Sequence, residues 1–327
     1  AFPPDMFAIR APRWRGYWVL TLSASRPDRP IWEGDTCLSI VVTGASGEFG
    51  LLAATRLLEL VPPEDVVLVS RSPERLEQFA ARGAAVRFAD FDRPDSLAEA
   101  FAGGEKLLLV STVAVGENRR RQHRAAIAAA EKAGVRHIAY TSSVGIHPRN
   151  PSFIIPDHTD TEAALRDCGM ETTVLRMASY ADILAKAIAP HAIETGQWVS
   201  HSGDGCAGFV AKDDCARAAV GVLTNDRHAG AVYHITGPQL LSNRDAAALA
   251  AEMSGRAIAY VEPEESDEAS KDQAETWIGP FTMADLLSTE HAVRQGFSAI
   301  CTHDVEMITG RPARSLRRVY ADNGIGA

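Results

Sequence analysis

Cysteine is scarce and unpatterned in this chain of 327 residues. Cys37, Cys168, Cys206, Cys215 and Cys301 are odd in number, widely spaced and form no CxxC pair. That excludes a disulfide framework and a thiolate zinc site, and it reads as reduced thiols in a cytoplasmic protein. The ten histidines form neither HxH nor HExxH, so no metal is expected. Basic residues do not dominate: 33 Lys and Arg stand against 42 Asp and Glu, a net charge of −9. With no basic stripe, a nucleic-acid groove is excluded. No apolar run reaches the roughly 18 residues that span a bilayer, so no membrane role is expected.

What is present is a chain rich enough in apolar residues (46%) to build a large core. Residues 1–37 differ from the rest. They hold Trp14, Trp18 and Trp32, five arginines and five prolines, and read as an extension, either disordered or upstream of a true start at Leu38. A secretory signal is set aside because the apolar part, 17–22, is short. From Leu38 onward, continuous apolar strands alternate with amphipathic helices. Strands are expected at 38–43, 66–69, 85–88, 107–110, 135–141 and 172–176. Helices are expected at 48–60 (inner face Leu51, Leu52, Leu57, Leu58), 73–82, 95–101, 118–133 and 157–168. Alternation of this kind predicts an α/β, doubly wound parallel sheet of Rossmann type. The division expected is 38–155 for the nucleotide-binding domain and 156–327 for a segment that completes the sheet and forms a small α+β cap. Trp277, Phe281 and Met283 are either an apolar lid or ordinary cap core.

Gly44-Ala45-Ser46-Gly47-Glu48-Phe49-Gly50 directly follows the first strand and opens the first helix. Such a turn brings backbone N–H groups up to a pyrophosphate at a helix N-terminus. Gly44 would make the turn, Gly47 would admit the phosphate, and Gly50 would let helix and strand pack closely. Arg71 lies 21 residues beyond Gly50, where an NAD site places an acidic residue. A guanidinium there suits a 2′-phosphate, so NADP(H) is expected, with NAD(H) as the alternative. Asp90 and Phe91 follow the third strand, at the adenine edge. Ser111 and Thr112 end the fourth strand, and Thr141 and Ser142 end the fifth, beside the nicotinamide ribose.

These stretches, with 69–71, 106–111, 137–142, 158–162 and 174–176 plus Tyr180, resemble the atypical short-chain dehydrogenase/reductases. The resemblance is to the NmrA-like group with quinone oxidoreductase type 2 and triphenylmethane reductase, and it runs from residue 38 to about 318. It implies an NADPH-binding Rossmann domain, a cleft beneath a small C-terminal domain, and hydride transfer to quinones or other conjugated, apolar acceptors. It also implies that Lys212 is a basic residue near the cofactor. Met177 departs from the pattern, which usually has Asn there. Ordinary members use Tyr-x-x-x-Lys for proton transfer, but Tyr140 is followed four residues on by Val144, and Tyr180 by Leu184. His158 takes the corresponding place, with Glu162 one helical turn on. His158 is read either as a proton donor oriented by Glu162 or as structural, since Thr159-x-x-Glu162 is also a capping-box pattern. Tyr180, after the sixth strand, would reach the nicotinamide or the acceptor. The expected function is an NADPH-dependent oxidoreductase, a quinone-reductase-like enzyme. The alternatives are a non-enzymatic NADP(H)-sensing regulator that binds a protein partner, and, more remotely, a nucleotide-sugar epimerase. A homodimer is left open.

Overall fold

The structure, a computed structural model, describes residues 39–263 and 282–326. The 1–37 extension and two of the lid candidates, Trp277 and Phe281, lie outside the described residues. The chain alternates β1 (Ile40–Val42), α1 (Glu48–Leu57), β2 (Val66–Ser70), α2 (Glu77–Ala80), β3 (Ala85–Phe88), α3 (Asp95–Phe101), β4 (Lys106–Leu109), α4 (Glu117–Lys132), β5 (His137–Ser143), α5 (Ile155–Asp167) and β6 (Glu171–Met177). After two short helices, α6 (Ala181–Ile183) and α7 (Ala189–Thr195), come β7 (Gln197–Val199), β8 (Cys206–Ala207), α8 (Lys212–Leu223) and β9 (Val232–Ile235). The rest is β10 (Leu241–Ser242), α9 (Asn243–Ser254), β11 (Ala259–Val261), α10 (Met283–Arg294), α11 (Asp304–Thr309) and α12 (Leu316–Asp322).

Seven strands form one parallel sheet in the order β3-β2-β1-β4-β5-β6-β9. Successive side chains of a strand face opposite sides, and here both sides are apolar. Ile40, Val42, Leu68 and Leu108 face one core with Ala53, Leu57 and Ala219 of α1 and α8. Val41, Val67, Leu107 and Ile138 face the other, with Phe101, Ile127 and Leu165 of α3, α4 and α5. A third core, around Trp198 and Tyr320, gathers α6, α7, α9 and α12. Two short pairs, β7 with β11 and β8 with β10, accompany it.

Several boundaries differ from expectation. α1 ends at Leu57, and its buried side is Phe49, Ala53, Ala54 and Leu57, with Leu51 and Leu52 only half-buried at its margin. The small residues pack closest because Gly50 draws the helix down onto the turn. The helix expected at 73–82 is a 3₁₀ turn followed by one α turn. Between α6 and α7 the chain makes a π turn at Leu184–Ile188. Pro190 lies in the first turn of α7; it has no N–H to complete the regular ladder, and the widened turn absorbs the missing bond.

Candidate active site

The strand order reverses between β1 and β4, so their carboxyl ends splay apart and open a crevice. Side chains fix the rim. The Thr43 hydroxyl donates to Leu108 O (3.1 Å) and accepts from Val110 N (3.0 Å), fastening β1 to β4. The Thr141 hydroxyl accepts from Ser111 N (2.8 Å) and donates to Ser111 Oγ (3.3 Å), fastening β4 to β5. Ser70 Oγ sits 2.6 Å from Ser46 Oγ and accepts from Ser72 N (2.9 Å), tying the end of β2 to the glycine turn.

Gly44 turns with φ +60, a conformation that disfavours a side chain. Ala45 is buried, and its N–H donates to Val69 O (3.1 Å). Gly47 occupies the N-cap of α1 and no side chain caps the first turn. The first N–H groups of the helix therefore lack intrahelical acceptors, and the helix dipole favours an anion there. A Cβ on Gly50 would stand 2.3 Å from Gly44 O, so the close approach of helix and turn needs glycine. An N-terminus with no side-chain cap, over a turn whose Gly44 and Gly47 carry no side chain, fits a pyrophosphate.

Glu48 opens α1 and is exposed. Its carboxylate accepts from Lys186 Nζ (2.6 Å) and from Lys212 Nζ. Partial burial opposes ionisation, but the two ammonium groups outweigh it and hold the carboxyl below its ordinary value. Lys212 Nζ also lies 5.1 Å above the Tyr180 ring. The Tyr180 hydroxyl donates to Met177 Sδ (3.4 Å). Burial pushes the Tyr180 phenol up, and Cys215, Asp182 and Glu48 add to the shift. Tyr180, Lys212, Lys186 and Glu48 thus meet beside the glycine turn, although the sequence separates them by up to 164 positions.

Arg71 is exposed after β2, and among the described residues no hydrogen bond or ion pair holds it. Asp90 is half-buried; its carboxylate accepts from Asp92 N (3.0 Å) in a local turn. The half-buried Phe91 packs against the α3–α4 core. Ser111 and Thr112 are half-buried at the rim. Thr141 and Ser142 are buried, and the Ser142 hydroxyl donates to Glu162 Oε1 (2.6 Å).

His158 and Glu162 do not meet. Glu162 forms a forked pair with Arg176, 3.0 Å to Nε and 2.7 Å to Nη2. The capping-box reading also fails: α5 begins at Ile155, so Thr159 lies inside it and donates to Ile155 O (2.8 Å). His158 is 5% exposed. Its Nδ1 is 2.7 Å from the Tyr140 hydroxyl and its Nε2 is 3.5 Å from Arg119 Nη1. Burial first, then Arg119 and His123, push its pKa well below the ordinary imidazole value. Behind the loop after β4 lies a buried polar cluster of Arg119, His123, Tyr140, Asp157, His158 and Thr161. Apart from His158 and Tyr140, no motif marks these residues in the sequence. The sequence signal of the helical members is polar residues on buried helix faces.

A family model described as NAD(P)H-binding matches residues 44–226, more than half of the chain. The chain belongs to this family. It is 35% identical over 250 residues to quinone oxidoreductase 2 of Escherichia coli, covering 76% of this chain and 85% of that one. Among solved structures, an NADPH-dependent quinone oxidoreductase from Escherichia coli complexed with NADPH superposes with a TM-score of 0.79 at 32% identity, over 86% of this chain and 99% of that one. Triphenylmethane reductase from Citrobacter, complexed with NADP(H), gives 0.79 at 28% identity, over 87% and 99%. The NAD(P)H-binding assignment made from the glycine turn therefore stands, as does the resemblance to this reductase group.

Proposed function

We propose that this protein is an NADPH-dependent reductase that delivers hydride to a quinone-like or other conjugated aromatic acceptor. The observation that carries the reading is the glycine turn under an uncapped α1 at the switch point between β1 and β4, with the unpaired Arg71 at the end of β2. The relatives act on, or are named for, acceptors of this class.

In this reading residues 44–50 hold the pyrophosphate through backbone N–H groups. Arg71 takes the 2′-phosphate, and Asp90 and Phe91 border the adenine. Ser111, Thr112 and Tyr180 line the nicotinamide end. Lys212 supplies positive charge beside the phosphates once Glu48 releases it. Thr141 and Ser142 act through their neighbours, because their hydroxyls already serve Ser111 and Glu162. His158 also acts from behind the cleft and holds Tyr140 in place. Residues 38–155 form the nucleotide half, and 156–327 complete the sheet and cover the acceptor side. The location is cytoplasmic, where NADPH is held reduced.

The bound nicotinamide supplies a hydride. The chain orients the acceptor and excludes water, and the proton that completes a hydroquinone comes from solvent. An acceptor that delocalises the incoming charge needs no donor from the protein, which agrees with the missing Tyr-x-x-x-Lys pair. Stopped-flow oxidation of NADPH and NADH against quinones, cationic triphenylmethane dyes and enones tests this. Rapid NADPH oxidation by quinones or dyes is expected. Tight NADPH binding with no turnover on any acceptor would instead favour the sensing regulator.

A further inference from the structure

We infer that His123 is a positioning residue for hydride transfer: it fixes the loop at residues 110–116, which borders the nicotinamide end of the cleft. The inference rests on the function proposed above. His123 sits in α4 with no exposed surface. Its Nε2 is 3.1 Å from Thr112 N. A backbone N–H can only donate, so Nε2 carries the lone pair and the proton resides on Nδ1. Nδ1 is 2.9 Å from Thr161 Oγ1, and that hydroxyl donates to Asp157 O at 2.9 Å. Thr161 therefore accepts from His123. Every hydrogen bond in this relay runs from the loop towards α5, and one tautomer alone satisfies all of them.

The same loop is anchored on either side. Ser111 N donates to Thr141 (2.8 Å), Gly116 N donates to Asp157 Oδ2 (2.7 Å), and Arg119 Nε donates to Ala114 O. Between these anchors Val113 is left 60% exposed, a rigidly presented apolar surface beside the cleft suited to a flat conjugated acceptor. An apolar side chain would fill the His123 site without the desolvation penalty of an imidazole, but it could not receive the Thr112 amide. The groups that face His123 are Arg119 on its own helix, Tyr140 on β5, and Thr161 and His158 on α5. Burial and Arg119 bring its pKa down to about 3, so the acceptor lone pair persists across the working range.

Two polar variants separate positioning from bulk. His123→Gln places an amide oxygen near Nε2 and can still receive Thr112. His123→Asn places its amide near Nδ1, keeps Thr161 and abandons Thr112. Purified full-length protein is assayed for NADPH affinity, for kcat and KM with a quinone, and for amide hydrogen exchange in peptides covering 110–116. Expected for H123N is a kcat loss of about tenfold, NADPH affinity within about threefold of wild type, and faster exchange confined to that loop. H123Q should stay near wild type in all three. If H123N does not fold, Thr161→Val cuts the relay at its far end and should give a kcat loss of about threefold with the same exchange signature. Equal behaviour of H123N and H123Q, or wild-type kcat in H123N or T161V, overturns the inference. A wild-type protein that binds no NADPH, or turns over no acceptor, defeats the proposed function itself and is scored before any variant.

Discussion

Gly50→Ala tests the cofactor cradle by adding one methyl group. The new Cβ would lie 2.3 Å from Gly44 O, 2.6 Å from Ala45 Cα and 2.9 Å from Ala45 C, all backbone atoms, whereas ordinary contact begins at 3.4 Å. The turn and α1 must therefore separate by about 1 Å (3.4 − 2.3). Overpacking of this kind typically destabilises by about 1–3 kcal/mol. Alanine returns about 1 kcal/mol of helix propensity. The net is a loss of about 0–2 kcal/mol, or a fall in Tm of roughly 0–3 °C for a chain of this size. Binding should suffer more than folding. A 1 Å shift separates the N–H groups of α1 from the Gly44 turn, and a charge-assisted hydrogen bond lost to a phosphate is worth about 1.5–3 kcal/mol. NADPH affinity should fall about 10- to 150-fold. Calorimetric titration beside a thermal melt reads both quantities. A folded G50A protein with wild-type NADPH affinity would refute the assignment of this turn as the phosphate cradle.

Arg71→Asp should weaken NADPH by about tenfold or more and leave NADH within about threefold, since only the 2′-phosphate distinguishes them; parallel titrations with the two nucleotides decide it, and equal losses would remove Arg71 from the site. Asp214→Ala should destabilise by about 1.5–3 kcal/mol. Asp214 has no exposed surface, and it receives Arg314 N (2.6 Å) and Nε (3.1 Å), a tie between the C-terminal segment and α8. A denaturant midpoint matching wild type would contradict that. Stability should also fall on acidification. Burial depresses His123 to about 3 and His137 to about 4, below the unfolded value near 6.5. Below about pH 6.5 the unfolded chain binds protons that the folded one refuses, so stability is full above that pH and declines towards about pH 4. Each histidine contributes about 2 kcal/mol of loss by pH 5. Urea titrations at pH 7 and 5 measure it, and His137→Asn should remove about 2 kcal/mol of the loss, the share of that one histidine.

The sheet was legible because its signals are local. Four-residue apolar runs such as Val66–Val69, followed by amphipathic stretches, allow little besides a buried parallel strand and its covering helix. The glycine turn was legible for the same reason: Gly44, Gly47 and Gly50 carry out their geometry within one turn of chain. The C-terminal half was harder. β7 pairs with β11 and β8 with β10, strands of two or three residues whose partners are decades of positions away. The pairing of Glu162 was misread because a helical i, i+4 rule sees His158 but not Arg176, which arrives from the neighbouring strand. The relay through His123 was invisible for a related reason. Its members come from α4, α5 and the loop after β4, and nothing in the spacing marks them as partners.

The same arrangement bears on how the reaction should depend on pH. In a Tyr–Lys enzyme the phenol must exchange a proton, and activity follows its ionisation. Here burial pushes the Tyr140 phenol up, with nearby Thr161 and Arg119 only partly opposing it. The Tyr180 phenol is likewise raised by burial. The two imidazoles of the buried cluster behind the loop after β4, His123 and His158, are both held neutral by burial. None of these four groups changes charge between about pH 6 and 9. If hydride transfer to a quinone takes its proton from solvent, kcat under single-turnover conditions should vary by less than about threefold across that interval. An acid limb with an apparent pKa of about 6 to 7 would require a histidine in the proton path. Loss of that limb in His158→Gln would then restore the donor role that the buried, doubly contacted ring argues against.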